Sequence, residues 1–487
     1  MSSTARVMVT LLISWCASTP ALAGGITQVI AYMGAPLPSG VGTYQAFALR
    51  STDGFSDLIF LPAINDAGQV AFAAQTTLLG GLPNGIFRAD SSHVQQIADK
   101  NQKFPNGPVQ AAVDFYYAPI SINAQGQVGF RVAISTSTPI VSRLALYDGS
   151  TIRVVSNSGA SPALNNLGQL ASVADSGVIV ASTSGIIPIA NLGARPPGRP
   201  VTATFDGFTS PAISANGYVA FTADDNGGSG AISVGNGVYR SDGSNLVAIA
   251  LAGQTPPGGG AAFQGFRAPS INDTGDMAFG SWGSSSTNNG IYVSNGTSLR
   301  RVARSGDAWP DGVGTLTGLL DPAINNQGET AFAVGNFNLG TGVLLADGTG
   351  LHQIARAGQV APSGPTFSGF ETDVALNNAG QVLFEGRLSG TGFTGLYLGD
   401  RNGAITEIAR GGQPLLGSTI SQLAFSPSVR REGSGLRGLN AAGQVAYYFR
   451  LADGRDGVAL WSVPEPSAAI LVMCVAIAAV RRMPRLR

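Results

Sequence analysis

Few residues of this sequence have the type and spacing that catalysis needs. Histidine occurs at two positions, His93 and His352, in well-separated parts of the chain. A single histidine beside a strand is most often a solvated surface residue, so we do not expect the two to share a site. The sequence contains no Gly-x-Ser-x-Gly, His-Glu-x-x-His or phosphate-binding motif. We therefore assign no catalytic and no cofactor-binding residue.

Acidic residues are the remaining candidates, because many enzymes that cleave glycans use a pair of carboxylates. Asp66, Asp273 and Asp321 lie in or just before short turns that recur along the chain, where turn chemistry explains an aspartate. The segment Asp224-Asp225-Asn226-Gly227 is rich in oxygen ligands of the kind that calcium prefers. It lacks the regular alternation of a calcium loop, and we predict no metal site.

Three arginines occupy the same place in a recurring Ala-Arg-x-Gly segment, at Arg304, Arg356 and Arg410. They could surround one face of the protein and attract an anionic polysaccharide. We favour the alternative that they are charges on edge strands, which discourage association between sheets.

One short signature recurs eight times and organises the rest of the sequence. It is a four-residue turn with asparagine or serine first and glycine fourth, followed by an apolar run. The turn positions are Asn65 and Gly68, Asn123 and Gly126, Asn165 and Gly168, Ser214 and Gly217, Asn272 and Gly275, Asn325 and Gly328, Asn377 and Gly380, and Asn440 and Gly443. This is the preference of a type I turn, because the first side chain bonds to onward backbone and glycine accepts the left-handed exit. We interpret these residues as structural.

Each repeat predicts a four-stranded antiparallel unit. After the first turn, Val70 and Phe72 point to one face and Ala71 to the other, so the second strand is buried on both sides. A third strand opens with glycine, as at Gly85, and a turn such as Asp148-Gly149 leads into a fourth. Such units are typical of propeller blades. We predict an all-β, eight-bladed β-propeller over residues 24–463.

The two ends of the repeat region predict how the propeller closes. The last repeat stops without a fourth strand, and residues 26–32 match the fourth strand of other repeats. The N-terminal strand would therefore complete the last blade. Because Ser172 replaces the aromatic residue in the third repeat, seven well-formed blades are an alternative. An open stack of β-units and two smaller domains are others.

The first 23 residues are typical of a secretory signal. Arg6 precedes an apolar run at residues 7–16, and Ala21-Leu22-Ala23 is a small-x-small cleavage site. The run is about half of the ~20 residues that a spanning helix needs. Cys16 suggests a lipoprotein as an alternative, but bulky Trp15 stands where lipidation requires a small residue.

The last 24 residues carry a second signal. Pro464, Glu465 and Pro466 precede an apolar run at residues 468–480, which we expect to form a hydrophobic helix, and then Arg481 and Arg482. The prolines keep the segment extended, and the arginines hold the tail on the cytoplasmic side. The segment resembles a PEP-CTERM sorting signal, which implies cleavage by an exosortase, a Gram-negative host and association with exopolysaccharide production. An ordinary C-terminal membrane anchor is the alternative.

The repeat region itself resembles the tandem-repeat family described by its Asn-x-x-Gly-x-x-Ala-Phe motif, whose members end in various anchors. The resemblance covers nearly the whole region between the two signals and implies no established activity.

Composition limits the partners of the chain. The whole sequence has 28 basic and 28 acidic residues, and the removed ends take Arg6 and the tail arginines but only Glu465. The remaining body is mildly acidic, which argues against nucleic acid as a partner. Both cysteines, Cys16 and Cys474, lie in the ends, so the body has no disulfide.

The sequence thus predicts an exported protein processed by signal peptidase and an exosortase. It would be transiently anchored in the inner membrane and then reach the cell surface or the extracellular space. Its propeller would bind a glycan or a protein without catalysis. The alternative is a secreted carbohydrate-active hydrolase or lyase that uses paired carboxylates.

Overall fold

The structure is a computed structural model in which parts of the chain are described. These are residues 25–49, 58–77, 84–99, 113–114, 120–134, 141–160, 162–209, 211–225, 235–283, 289–336, 339–430, 433–434 and 437–463. The predicted signal peptide and the predicted tail, with Pro464, Glu465, Pro466, Arg481 and Arg482, lie outside them. Across the described ranges, no helix is long and apolar enough to cross a membrane.

The chain divides into two compact units. The smaller consists of Met1–Thr27 and Trp461–Arg487, and the larger of Gln28–Leu460. In the described part of the smaller unit, Gly25 lies directly against the indole of Trp461, so closely that a Cβ atom at this position would clash with the ring.

The described residues are all-β. Their strands are β1 Ile26–Tyr32, β2 Tyr44–Ala46, β3 Ala48–Leu49, β4 Leu58–Ile59, β5 Ala63–Ile64, β6 Val70–Thr76, β7 Gly85–Ala89, β8 Val94–Asp99, β9 Val113–Asp114, β10 Ser121–Ile122, β11 Val128–Ile134, β12 Val141–Tyr147, β13 Ile152–Ser156, β14 Ala163–Leu164, β15 Leu170–Ala174, β16 Gly177–Ser182, β17 Gly185–Asn191, β18 Phe205–Phe208, β19 Ala212–Ile213, β20 Val219–Asp225, β21 Gly237–Ser241, β22 Leu246–Leu251, β23 Gly265–Phe266, β24 Ser270–Ile271, β25 Met277–Trp282, β26 Gly290–Ser294, β27 Leu299–Arg304, β28 Ala323–Ile324, β29 Thr330–Asn336, β30 Leu339–Ala346, β31 Leu351–Arg356, β32 Phe367–Leu376, β33 Val382–Leu388, β34 Thr394–Gly399, β35 Ile405–Arg410, β36 Pro414–Leu415, β37 Ser418–Phe425, β38 Val429–Arg430, β39 Gly433–Ser434, β40 Val445–Leu451 and β41 Asp456–Ser462.

Each repeat, numbered 1 to 8 by the turns that begin at residues 65, 123, 165, 214, 272, 325, 377 and 440, forms an antiparallel unit. Repeat 3 has the simplest order, β14-β15-β16-β17, with each strand bonded to the next in sequence. Repeats 6 and 7 are joined into one larger sheet by a single bridge between Gly340 and Phe370. The four-stranded unit predicted from the signature is therefore present in the described chain.

The first strand of most repeats is broken, which the sequence did not predict. In repeat 4, β18 and β19 both pair with β20 but are separate strands, and Pro211 lies between them. A proline removes a backbone donor, so it is compatible with a bulge and not with a continuous ladder. In repeat 7, where Val374 stands at the position of the proline, the strand β32 is continuous and bulges between Phe370 and Val374.

The glycine that opens the third strand has a packing cause. In repeat 7 a Cβ atom at Gly395 would lie 2.7 Å from Oη of Tyr397, because the tyrosine ring folds back over its own strand. The same ring packs against Phe367 and Phe384 with centroid distances of 5.0 and 5.7 Å. Repeats 1, 4 and 5 contain equivalent aromatic clusters.

The hydrophobic core lies between sheets, so each unit depends on its neighbours. Phe72 of repeat 1 packs in one cluster with Tyr448 of repeat 8. Ala71, on the opposite face of the same strand, packs with Phe130 of repeat 2. Both faces of β6 are inaccessible to solvent, as the sequence predicts for a strand that is buried on two sides.

The N-terminal strand pairs with the last repeat. In the sheet of repeat 8 the strand order is β1-β41-β40-β37-β36, so β1 occupies the place of a fourth strand. The backbone N–H of Met33 donates to the carbonyl of Asp456 at 2.8 Å. This is the pairing that the incomplete last repeat predicts.

Candidate functional site

The eight recurring turns have one geometry. In repeat 1 the N–H of Gly68 donates to the carbonyl of Asn65 at 3.0 Å, and Oδ1 of Asn65 accepts from the N–H groups of Ala67 and Gln69. The glycine has a φ of 76°, in the left-handed region where a side chain costs free energy. All eight glycines of the signature have positive φ. The turn is thus local chemistry, which is why it could be read from the sequence.

The same asparagines also connect each repeat to the next. Nδ2 of Asn65 donates to the carbonyl of Asn123 at 2.9 Å, and Nδ2 of Asn123 donates to the carbonyl of Asn165 at 3.0 Å. Nδ2 of Asn440 donates back to the carbonyl of Asn65 at 3.0 Å. The equivalent bonds of Asn272, Asn325 and Asn377 are 2.9, 3.0 and 3.0 Å long.

We call this set of bonds the asparagine network. Among the described residues it is interrupted on both sides of repeat 4: Nδ2 of Asn165 bonds within its own turn, to Gln169, and Ser214 has no amide to donate. Its asparagines are almost completely buried, so each donor that is left without an acceptor would cost about 1–3 kcal/mol. The network therefore fixes the spacing between consecutive repeats, and the bond from Asn440 to Asn65 links the last repeat to the first.

A second set of bonds joins the residues that immediately follow the first turn position. The N–H of Ala441 donates to Oδ1 of Asp66 at 2.9 Å, and the N–H of Ala215 donates to Oδ1 of Asp273 at 2.8 Å. The bonds from Ala124 to Asn166, from Asp273 to Asn326 and from Asn326 to Asn378 have the same form. We call these positions the second turn residues.

The turns surround a small polar cavity, which we call the turn cavity. It encloses about 80 Å³ and is lined by residues of repeats 1, 4, 5, 6, 7 and 8. Its polar lining includes the second turn residues Asp66, Asp273, Asn326 and Asn378, together with Arg437. The acidic candidates Asp66 and Asp273 both line this cavity, but the sequence does not predict that they do, because the lining comes from turns about 50 residues apart or more, which only the fold brings together.

Two residues of an insertion in repeat 8, Ser428 and Arg437, line the turn cavity. The backbone leaves the first strand after Ser426 and returns at Gly438, whose N–H donates to the carbonyl of Ser426 at 2.8 Å. Within the insertion, β38 pairs with β39. The N–H of Ile64 donates to the carbonyl of Arg437 at 2.7 Å, which fixes Arg437 beside the strand that leads to Asp66.

The two histidines have separate partners. Nδ1 of His93 is 3.1 Å from Oδ1 of Asp90, and Nε2 of His352 is 3.0 Å from Oδ1 of Asp347. Each partner is the aspartate of the turn between the third and fourth strands of the same repeat. Both histidines therefore have a local structural environment and neither lines the turn cavity.

The two aspartates of the acidic segment in repeat 4 lie in different environments. Asp225 is buried, and its Oδ2 lies 2.5 Å from Nε of Arg199. Burial, followed by the nearby carboxylate of Asp206, raises the pKa of Asp224 to about 6. Asn226 and Gly227 lie outside the described residues. Among those that are described, no group of three or more acidic, histidine or cysteine side chains could hold a metal ion.

A second acidic group lies in the bulge of repeat 7. The register places residues 371–373 opposite Glu385. Burial raises the pKa of Glu385 to about 8; a hydrogen bond with Thr394 opposes the shift, and Glu371 adds to it. Nε of Arg387 donates to Glu371 at 2.7 Å.

The Ala-Arg-x-Gly arginines bind neighbouring structure. Nη1 of Arg356 lies 2.5 Å from the carboxylate of Asp311, and its guanidinium stacks 4.4 Å from the ring centroid of Trp309. Nη1 of Arg304 donates to the carbonyl of Gly259 at 3.0 Å. Arg410 pairs with Glu407 at 3.3 Å. The contacts of Arg356 and Arg304 reach the loops after the fourth strands of the preceding repeats, whereas Arg410 pairs within its own strand.

Comparison with known proteins gives a family and weak structural neighbours. No curated protein matches the sequence. An acylaminoacyl peptidase from Pyrococcus horikoshii has 11% identity and a TM-score of 0.40 over 80% of this chain and 57% of its own, so the chain spans little more than half of that protein. A Trypanosoma rangeli sialidase in complex with the inhibitor DANA has 9% identity and a TM-score of 0.35 over 94% of this chain and 63% of its own.

An oligogalacturonate lyase from Vibrio parahaemolyticus has 14% identity and a TM-score of 0.33, with 78% of this chain and 92% of its own covered. The model of a family of unknown function, DUF7453, matches residues 21–339 and 283–470. The chain belongs to this family.

Proposed function

We propose that the chain is an exported surface or matrix protein, released from the inner membrane by an exosortase-type enzyme, whose repeats form an eight-bladed β-propeller. The pairing of β1 with β41 supports closure, and so does the hydrogen bond from Asn440 to Asn65. Phe72 of repeat 1 and Tyr448 of repeat 8 also pack in one hydrophobic cluster, which connects the first and last repeats. A linear stack has no reason to bring its first and last repeats into contact.

The function that the geometry favours is non-catalytic binding of a glycan in the turn cavity. The observation that carries this proposal is the lining itself, where planar carboxylate, amide and guanidinium groups from several repeats meet in one cavity. Binding sites combine a concave shape with a few convergent polar groups, and hydroxyl groups of sugars both donate and accept hydrogen bonds.

A glycan array tests this function. The full-length chain, kept soluble in a zwitterionic detergent, is expected to bind a subset of glycans. A version with Asn378→Ala is expected to bind them more weakly, because it removes a polar group of the lining. If the chain bound a protein ligand and no glycan on the array, the binding function would be assigned to the loops and not to the turn cavity. Complete absence of glycan binding would contradict the proposal.

The second candidate is a carbohydrate-active hydrolase or lyase. It is favoured by one observation, that Asp224 and Glu385 have raised pKa values beside further carboxylates, as general acids in glycan-cleaving enzymes do. Neither residue is part of the described lining of the turn cavity. Release of reducing ends or of unsaturated products from a polysaccharide panel, abolished by Glu385→Gln, would support this candidate over binding alone.

A further inference from the structure

Among the described residues, the second turn residues differ in how many of their polar groups are hydrogen-bonded. The bonds of the series run from a backbone N–H of one repeat to a side-chain oxygen of the next. Asp273 has both carboxylate oxygens bonded, because Oδ1 accepts from the N–H of Ala215 and Oδ2 accepts from the side-chain Nδ2 of Asn326 at 2.7 Å. The side-chain polar atoms of Asp273 and Asn326 are therefore already hydrogen-bonded within the protein.

Asp66 and Asn378 each use only one of their two side-chain polar atoms in a hydrogen bond within the described chain. Oδ1 of Asp66 accepts from Ala441, and Oδ1 of Asn378 accepts from Asn326. Within the described parts of the chain, Oδ2 of Asp66 and Nδ2 of Asn378 bond to no other residue. Among the described residues the backbone N–H of Asn378 has no acceptor either, because the next repeat has an alanine, Ala441, where the acceptor would be.

Arg437 completes this set. Its backbone is fixed beside Ile64, two residues before Asp66, and the residue is part of the lining of the same cavity. The guanidinium has no ion-pair or hydrogen-bond partner in the described chain, and it does not pair with Asp66. Among the described residues, Asp66 and Arg437 thus line one cavity and form no ion pair with each other, so a ligand can contact both.

The charge and the size of the cavity restrict what this ligand is. Two carboxylates and one guanidinium give the lining a net negative charge, which disfavours an anionic ligand. The free groups include both an acceptor and several donors, a combination that matches neighbouring hydroxyl groups. A cavity of about 80 Å³ holds several ordered waters, which the hydroxyl edge of one sugar ring would replace.

We propose that the turn cavity binds a neutral sugar unit through a pair of adjacent hydroxyl groups. One hydroxyl donates to Oδ2 of Asp66 and accepts from Arg437, and its neighbour accepts from Nδ2 of Asn378. This inference rests on the proposed glycan-binding function and adds the class of sugar and the groups that select it.

Asp66→Asn is the sharpest variant for a test. Asparagine occupies the same position in repeats 3, 6 and 7, where its Oδ1 accepts the bond from the preceding repeat. The variant therefore keeps the structural bond from Ala441 and replaces only the free carboxylate oxygen with a donor. Asn166→Ala is the matched control, because it removes a bond of the same form at a position that does not line the cavity.

The experiment is calorimetric titration of the full-length chain with methyl glycosides of neutral hexoses and with the corresponding uronates. We expect neutral glycosides to bind, uronates to bind at least tenfold more weakly, and Asp66→Asn to weaken neutral binding by roughly 10- to 100-fold, the range for a hydrogen bond to a charged group. Asn166→Ala is expected to lower the melting temperature and leave affinity unchanged.

The outcomes separate the two proposals. Preferential binding of uronates, or neutral binding that is insensitive to Asp66→Asn, overturns this inference while glycan binding stands. Binding of neither class to a folded chain overturns the glycan-binding function as well.

Discussion

At the scale of single residues, the turn asparagines have two separable roles. Oδ1 shapes the turn within a repeat, and Nδ2 connects that repeat to the next, as Asn440 does with Asn65. Only the first role could be inferred from the sequence, because it involves neighbours in the chain. Ser214 illustrates the difference, since its Oγ accepts from Tyr218 and preserves the turn but cannot reach the next repeat.

This separation predicts graded effects at Asn440. We expect Asn440→Ala to lower the free energy of unfolding by about 2–4 kcal/mol, because it removes the turn bonds from Ala442 and Gln444 and also the buried bond to the carbonyl of Asn65. Asn440→Ser keeps the turn and is expected to cost about half as much. Urea unfolding of the full-length chain measures both. Equal effects of the two variants would contradict separate roles.

Glu385 predicts a pH dependence of stability. Its ordinary pKa is 4.5 in the unfolded chain, and burial raises it to about 8 in the folded protein. The folded state therefore binds this proton more tightly, so the contribution of Glu385 is fully present below pH 4.5 and is lost as the pH rises through 8. We expect Glu385→Gln to flatten the decrease in melting temperature between pH 5 and 9.

Asp224→Asn is the control for this pH series. The pKa of Asp224 is raised only to about 6, so its removal is expected to change the profile around pH 4–6 and to leave the range near pH 8 as it is. Identical profiles for the wild type and Glu385→Gln above pH 6 would show that Glu385 titrates normally.

At the scale of strands and sheets, the sequence predicted what is local. The turns, the strand that follows each of them and the glycine before the third strand all appear where the signature places them. The broken first strand was missed, because its proline reads equally well as a strand end. The aromatic pairs of that strand, such as Phe367 and Phe370, were missed because their partners lie on other strands.

The glycine at the start of the third strand predicts a packing defect when it is replaced. Gly395→Ala would place a methyl group 2.7 Å from Oη of Tyr397 and 2.9 Å from its ring. We expect a loss of about 1–3 kcal/mol, the usual effect of overpacking, in urea unfolding. Gly348→Ala is the matched control, because no atom lies within 4 Å of its Cβ position.

At the scale of the whole molecule, closure of the repeat series depends on contact between the first and last repeats. That contact has three independent parts, in strand pairing, in a buried hydrogen bond and in a shared core. The turn cavity depends on it as well, because Asp66 and Arg437 come from opposite ends of the repeat series. The sequence could predict closure because one repeat is divided between the two ends of the chain, but not the cavity, which exists only once the ends meet.

The most direct measurement is the thermal stability of the chain after removal of residues 26–33. We expect a large fall in melting temperature, because the edge of the last sheet and the core beneath it become exposed to solvent. Adding a synthetic peptide of residues 26–33 is expected to restore part of the stability. An unchanged melting temperature after this deletion would contradict closure by the N-terminal strand.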